Sequence, residues 1–590
     1  MTEPSSSPAA NRWPSQVKFI LGNEACERFS YYGMKGILAL YITNVLLQTR
    51  DQATNIIHLF GFANYFMPLL GAWVSDRFWG RYHTILWVSL SYCLGHGVMA
   101  TSDFIPSLEG KALALYVGLG LIAFGSGGIK PCVAAFMGDQ FKPEQRHLLQ
   151  KAYAAFYWCI NLGSTASFII IPFIRREYGY SWAFGVPGIF MAIATFVFWL
   201  GTNRYVRVPP SRVSGRTGFF KVFFAAWAAR GQRAPTQTFW DTARQRFTDA
   251  EVDAAKSIGP ILGVFALIPV FWALFDQTFS TWVLQGENMR PVTLSAPQFR
   301  ESDLKRPEIL ATKLTAHTND ATSLLWQKLT AQSQQRIVPT QDPATLKAGL
   351  VAALNQLMGD AAWYDSNALA AVKLGADTRF YLRHHHGPDE TAMLNRFLLE
   401  DCFPEELGKL YRIGPEEMLS ANPILVMILI PIMTLGLYPW LGRLATPLRR
   451  MSAGMFLSGF SFVVVAWLQI RLDAGVPLSI LWQTVPYVVL TIAEVLVSTT
   501  GLEFAFREAA PEMKSTIMGF WNLTVAFGNL LVSAITLFAA KFLGGSAGHD
   551  ISISPKMFLF YAGLTFVVAI LFSLVAAKYH YRDQAAAAGK

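Results

Sequence analysis

The chain has 590 residues, 53% of them hydrophobic and 14% aromatic, only 15% charged, and a formal net charge of +10. Soluble domains carry about 25% charged residues, and several windows of about 20 apolar residues identify a polytopic membrane protein rather than a soluble one. The basic excess sits mainly in loops between apolar runs, so it reads as an orientation signal and not as a nucleic-acid surface.

Twelve spans are expected, at about 17–47, 53–76, 82–101, 111–138, 150–174, 181–203, 257–284, 421–441, 449–471, 478–505, 513–541 and 555–579. The stretch from Met1 to Pro14 is short, polar and rich in Ser and Pro, with no cleavable signal pattern. Within the first span, Glu24, Glu27, Arg28, Tyr31 and Lys35 share one helical face. A charge near mid-bilayer costs about 2.5–3.5 kcal/mol and an apolar residue returns only about 0.3–0.6. Such a stripe is tolerable only when it faces the bundle interior or a wet cavity with its charges paired, and it marks a functional face.

The even number of spans puts both termini on one side, and the loops of that side carry the Lys/Arg excess that marks it as cytoplasmic. The linker 205–256, with Arg204 at its edge, holds ten basic residues against four acidic ones, Asp241, Asp249, Glu251 and Asp253. Arg175 and Arg176 fall on the opposite side, against the rule. The division is therefore 1–204 as an N-terminal six-helix bundle, 205–256 as a basic cytoplasmic linker, 257–284 as the first helix of a C-terminal bundle, 285–420 as an insert, and 421–590 as the remainder with a short cytoplasmic tail. Six spans, a linker and six more spans is the plan of the major facilitator transporters, with substrate between the halves. The loop Gly71-Ala72-Trp73-Val74-Ser75-Asp76-Arg77-Phe78-Trp79-Gly80-Arg81 resembles that superfamily's G-x-x-x-D-x-x-x-G-R loop, with Asp76 and Arg81 expected to cap and pair between helix ends.

The insert is polar, lacks a spanning run, and by this topology is extracytoplasmic. Thr345 to Met358 and Glu390 to Phe403 read as amphipathic helices, which makes it a small, mainly helical domain between the seventh and eighth spans. Its His384, His385 and His386 are adjacent, cannot all point one way, and read as a solvated loop rather than a metal site. Cys402 stands alone there, while Cys26, Cys93, Cys132 and Cys159 fall in spans, so no disulfide framework is expected. No metal site, cofactor site or nucleophile is evident, and the chain does not read as an enzyme.

The sequence Glu24-x-x-Glu27-Arg28-Phe29-x-Tyr31-Tyr32-Gly33 resembles the first-helix signature of the proton-dependent oligopeptide transporter family. Further stretches are similar to that family: Gly125-Ser126-Gly127-Gly128-Ile129-Lys130-Pro131, Phe156 to Gly163, Phe271 to Gln277, and Glu494 to Phe504. The similarity runs through nearly all spans but not through 285–420. It implies an all-α major facilitator fold and proton-coupled symport of di- and tripeptides, with protons as the only coupling ion, no nucleic-acid partner, and a monomer in a bilayer, expected to be a bacterial inner membrane.

A short peptide is a zwitterion, so a site tolerant of side chains should grip its two ends. Arg28, Lys130 and Lys35 supply positive charge for the carboxylate. Glu494, Asn161 and Asn422 supply acceptors for the ammonium, and the resemblance assigns these roles to the same positions. Tyr31, Tyr32, Tyr65, Trp272 and Trp521 are expected as aromatic walls, although each reads nearly as well as ordinary span packing. For proton coupling the candidates are Glu24, Glu27, His58 and Asp276. Lys35 with Asp276 and Lys130 with Glu494 are expected as gate pairs, and the family usually has Arg at the position of Lys35. Alternatives remain: a carrier of another organic anion, a receptor with the insert as its sensing module, or a hydrolase within the insert.

Overall fold

A computed structural model describes residues 12–210, 218–233, 237–295, 411–442, 445–476, 478–510, 513–542, 550–579 and 581. By length and apolarity, eight helices among these qualify as membrane spans, or nine when one bent pair is taken together. Two of them are double-length, Arg50–Phe104 with 55 residues and Leu149–Leu200 with 52, and each folds back on itself at a glycine. The first helix, Val17–Asn44, escapes this criterion because it carries Lys18, Glu24, Glu27, Arg28 and Lys35. With each double helix counted as two, the twelve spans are all present.

The breaks follow local chemistry. Gly80 (φ 74°) turns the chain from the second span, Arg50–Val74, into the third, Gly80–Ala100, after a π turn at Ser75–Trp79. Gly179 (φ 84°) separates the fifth span from the sixth. Both sit in the left-handed region that only glycine enters at little cost. The second span starts earlier than expected, because Thr49 and Gln52 form a reciprocal capping box. Arg81 donates to Asp139 at the end of the fourth span (2.5 Å), so the expected loop pairing runs to that carboxylate.

The seventh span, expected as one helix over 257–284, is instead segmented. Ile258–Phe265 and Pro269–Phe275 are followed by a tighter turn at Asp276–Phe279 and by Thr281–Gly286. Its two halves, Asp249–Phe265 and Pro269–Gly286, are bent by 46°. Pro269 has no N–H to donate and crowds the preceding turn. The eighth and tenth spans carry π turns at Ile432–Leu437 and Val495–Thr499, the latter directly after Glu494.

The first span packs on the fifth–sixth pair, and the second and third pack on the fourth. In the other half the ninth span packs on the tenth and twelfth, and the seventh on the eleventh. The halves meet where the second span faces the eleventh and the fifth faces the eighth. This is the two-bundle major facilitator arrangement. Between the seventh and eighth spans the chain leaves through Val292–Ser295 and returns through Tyr411–Ile413, paired antiparallel. That short ladder departs from an all-helical reading; the two strands of the insert's neck satisfy each other's backbone groups where they leave the bundle. The expected insert helices, His384 to His386 and Cys402 lie outside the described residues. We call the end bearing this neck the insert end and the opposite one the terminal end.

Candidate functional site

The charged face of the first span is buried inside the N-terminal bundle. Glu24 and Glu27 are 1% and 0% exposed. Arg28 Nε donates to Glu24 Oε1 (2.6 Å) and lies 3.0 Å from Glu27 Oε2. One N–H points one way, so Glu27 is ion-paired with Arg28 without accepting a hydrogen bond from it. Both contacts run through Nε, and no contact of the two Nη atoms of Arg28 is present among the described residues. One turn on, Tyr31 is buried and its hydroxyl accepts from Asn64 Nδ2 of the second span (2.8 Å).

Lys130 reaches this region from the fourth span. Among the described residues its ammonium has no hydrogen-bond partner, and it lies over the rings of Tyr31 (4.5 Å) and Tyr65 (4.3 Å). Each ring face is worth about 0.5–2 kcal/mol to a cation, which holds the charge in place without satisfying its three donors. Tyr32 stacks edge-on against Tyr31 (5.2 Å) and lies parallel to Phe279 of the seventh span (6.2 Å). The three tyrosines are thus brought together around the Lys130 ammonium and the Phe279 ring.

Across from them, Glu494 accepts from Asn422 Nδ2 (2.7 Å), which also approaches Thr491 (3.2 Å). The expected acceptors on the tenth and eighth spans are thus joined, and Glu494 is held by Asn422 rather than by Lys130. Asn161 spends its Nδ2 on its own helix at Tyr157 O (2.9 Å) and keeps its carbonyl oxygen as an acceptor. Trp272 packs edge-on against Trp521 (6.1 Å), and Trp521 also meets Phe265 (5.3 Å) and abuts Gly501. Trp521 is 5% exposed. The structure therefore shows it packed between helices of the C-terminal bundle, in the same cluster of side chains against which Tyr65 packs.

Lys35, Asp276 and His58 belong to a single hydrogen-bonded chain. Lys35 Nζ donates to Asp276 Oδ1 (3.1 Å) and rests over Phe279 (3.8 Å). Asn529 of the eleventh span donates from Nδ2 to Asp276 Oδ2 (2.6 Å), and its Oδ1 faces His58 Nδ1 (2.9 Å). Because Nδ2 is the donor, Oδ1 must accept, so His58 carries a proton on Nδ1. Its Nε2 then accepts from Ser280 (2.9 Å) when neutral and donates to it when protonated. The chain ties the first, second, seventh and eleventh spans together across both bundles.

Sequence reasoning missed Asn529, the junction of this chain, and the ion pairs nearer the insert end. Arg175 donates to Glu416 (2.7 Å) and Arg176 to Glu417, joining the fifth–sixth turn to the start of the eighth span. These partners explain two arginines that break the charge rule. Arg50 lies 3.9 Å from Glu287 and 3.8 Å from Asp550, and Asn44 donates to Glu287 (2.9 Å).

With the geometry in place, comparisons decide the family. The family model described as the POT family matches residues 82–299 and 404–548. The chain belongs to the POT family. Its similarity extends to the Drosophila melanogaster protein named peptide transporter family 1, 31% identical over 97% of this chain and 88% of that one. It is also similar to solute carrier family 15 member 2 of Danio rerio, 30% identical over 97% and 91%. Among solved structures, an auto-inhibited POT family peptide transporter shares 33% identity over 96% of this chain and 98% of that one, with TM-score 0.69. The POT family transporter PepTSo shares 31% over 97% and 100%, also with TM-score 0.69. This POT chain is accordingly a multi-pass integral membrane protein of the transporter class.

Proposed function

We propose that this POT protein carries di- and tripeptides into the cell together with protons by alternating access. The single observation that carries the reading is the polarity of the central site. Cationic groups with unused donors, Arg28 and Lys130, face it from one bundle, and Glu494 with Asn422 faces it from the other. A zwitterion with a carboxylate at one end and an ammonium at the other fits that arrangement, whereas an anion without an amine has no use for Glu494. The names of the relatives, peptide transporters among them, support the same substrate class.

In the cycle, the proton enters at the charged face. Protonating Glu24 or Glu27 weakens its hold on Arg28 and frees that cation for the peptide carboxylate, so proton and peptide binding favour each other through one exchange of partners. Asp276 and His58 act at the gate. A proton on Asp276 loosens Lys35, and one on His58 turns the Ser280 hydroxyl. Lys130 with Glu494 closes the terminal end when the insert end is open. Protons are the coupling ion and no cofactor takes part. The protein works as a monomer in a bacterial inner membrane, with both termini and the 205–256 linker in the cytoplasm and the insert outside.

The test is uptake of labelled dialanine into proteoliposomes, acid outside and negative inside, with and without a proton ionophore. Accumulation above equilibrium that the ionophore collapses is the expected result. Equilibration indifferent to the ionophore overturns the proton coupling, and no entry of dialanine overturns the substrate.

A further inference from the structure

At the insert end, a cavity of about 1210 Å³ opens where the last turns of the ninth and eleventh spans meet the first turns of the twelfth. One side is apolar, with Ile535, Phe538, Met557 and Phe560 in its wall, and Phe538 and Phe560 are 61% and 51% exposed. The lining lies within about two turns of the helix ends, roughly 10 Å at 1.5 Å per residue. That is the depth of lipid headgroups, glycerol and the first acyl carbons.

The polar side holds four charged groups, Arg50, Asp550, Asp473 and Lys556. Two of them answer each other: Arg50 Nε lies 3.8 Å from Asp550 Oδ2, and the Arg50 backbone N–H donates to Asp550 Oδ1 (3.1 Å). The other two do not. Asp473 Oδ1 accepts from Gln469 Nε2 (2.8 Å), leaving its second oxygen for the cavity. Among the described residues Lys556 has no ion-pair partner. What remains is one anion and one cation at the rim of an apolar crevice, at headgroup depth.

We propose that this cavity binds a zwitterionic aminophospholipid of the phosphatidylethanolamine type. The primary ammonium donates to Asp473, the phosphate meets Lys556, and the acyl chains run along Phe538 and Phe560. A trimethylated headgroup has no N–H for Asp473, and an anionic glycerol headgroup offers that carboxylate neutral hydroxyls without a compensating positive charge. The site reaches the transport machinery through buried glutamines. Gln469 receives a hydrogen bond from Gln285 of the seventh span (3.1 Å), and Gln483 donates to Gln285 (3.4 Å) and to the Trp282 carbonyl (2.9 Å). A headgroup on Asp473 thus steadies the element that bears Asp276 and Glu287; this effect on transport rests on the function proposed above.

The test is native mass spectrometry of the delipidated full chain titrated with POPE, POPC or POPG. POPE occupancy should exceed that of either other lipid by about tenfold, the worth of one charge-assisted hydrogen bond. Asp473→Asn should bring POPE down to the level of POPC, and, separately, Lys556→Gln should lower the occupancy of all three lipids, which share the phosphate. Both sites lie near helix ends, and unchanged chromatographic and thermal behaviour verifies folding. Equal occupancy by the three lipids, a preference for POPG, or retained selectivity in a folded Asp473→Asn protein overturns the site. Dialanine uptake in POPE and POPC vesicles separates the two claims. Selective POPE binding without uptake in any vesicle leaves the lipid site standing and refutes the transport reading, and uptake without POPE selectivity refutes the lipid site alone.

Discussion

At the insert end the two bundles are joined by charge: Lys35 to Asp276, Arg175 to Glu416, Arg176 to Glu417, and Arg50 between Glu287 and Asp550. Toward the terminal end the corresponding groups stand apart. Lys130 rests on two tyrosine rings without a hydrogen bond, and Glu494 is occupied by Asn422. One end has made its ion pairs between the bundles, and among the described residues Lys130 and Glu494 at the other have not. A pair that must be broken in each cycle cannot be made at both ends at once, so on the gate roles proposed above the difference marks a conformation closed at the insert end. Similar residues also differ in their surroundings: Lys35 is ion-paired with Asp276, while Lys130 keeps unused donors among the described residues.

The contrast can be broken first at Lys35. Removing one partner of a buried ion pair costs about 3–5 kcal/mol, because the other charge is left uncompensated. Lys35→Ala should therefore lower the initial rate of dialanine uptake by more than about 100-fold. Lys35→Ala with Asp276→Ala should recover part of that loss; a double mutant no better than the single one would mean that the pair does not act as a unit.

Lys130 should behave differently. With no ion pair to lose in this conformation, Lys130→Gln should raise the half-saturation concentration by about 30-fold, roughly 2 kcal/mol of a charge-assisted contact. Its effect on thermal stability should be small. A large drop in stability with unchanged half-saturation would place Lys130 in packing instead.

Smaller again is His58→Gln. Glutamine can keep hydrogen bonds to Asn529 and Ser280 but cannot titrate, so uptake should survive at about a tenth of its rate, with a flattened response to external pH. An unchanged pH profile removes His58 from proton handling. The smallest effect belongs to Trp521→Phe, which should cost about 1 kcal/mol of packing and leave half-saturation within about twofold. A larger change would return Trp521 to the substrate wall.

Much of this was legible in the sequence because charges inside apolar runs are expensive and therefore informative. The face from Glu24 to Lys35 announced itself in this way, while Lys130, Asp276 and Glu494 stood out through the stretches that resemble the family. The double helices also break at glycines, Gly80 and Gly179. Asn529 was not legible. It is one amide in the eleventh span, and its partners His58 and Asp276 are 471 and 253 residues away. Periodicity reports which face of a helix is polar, not which distant residue that face meets. The bend of the seventh span has a local cause in Pro269 that the continuous apolar pattern masked, whereas the π turn after Glu494 escaped because the apolar pattern runs through it and only the tertiary packing selects the irregular backbone. Trp521 was ambiguous because an aromatic residue lining a cavity and one packed between helices have the same local sequence.

The most direct test separates accumulation from exchange in Glu24→Gln proteoliposomes. Glu24 is the carboxylate that accepts the Arg28 hydrogen bond at 2.6 Å, and glutamine preserves an acceptor there while removing the titration. Labelled dialanine should still exchange against unlabelled peptide at a rate near that of the unaltered protein, and it should no longer be concentrated by an imposed proton gradient. Gradient-driven accumulation that persists in this variant would contradict the assignment of proton coupling to the charged face of the first span.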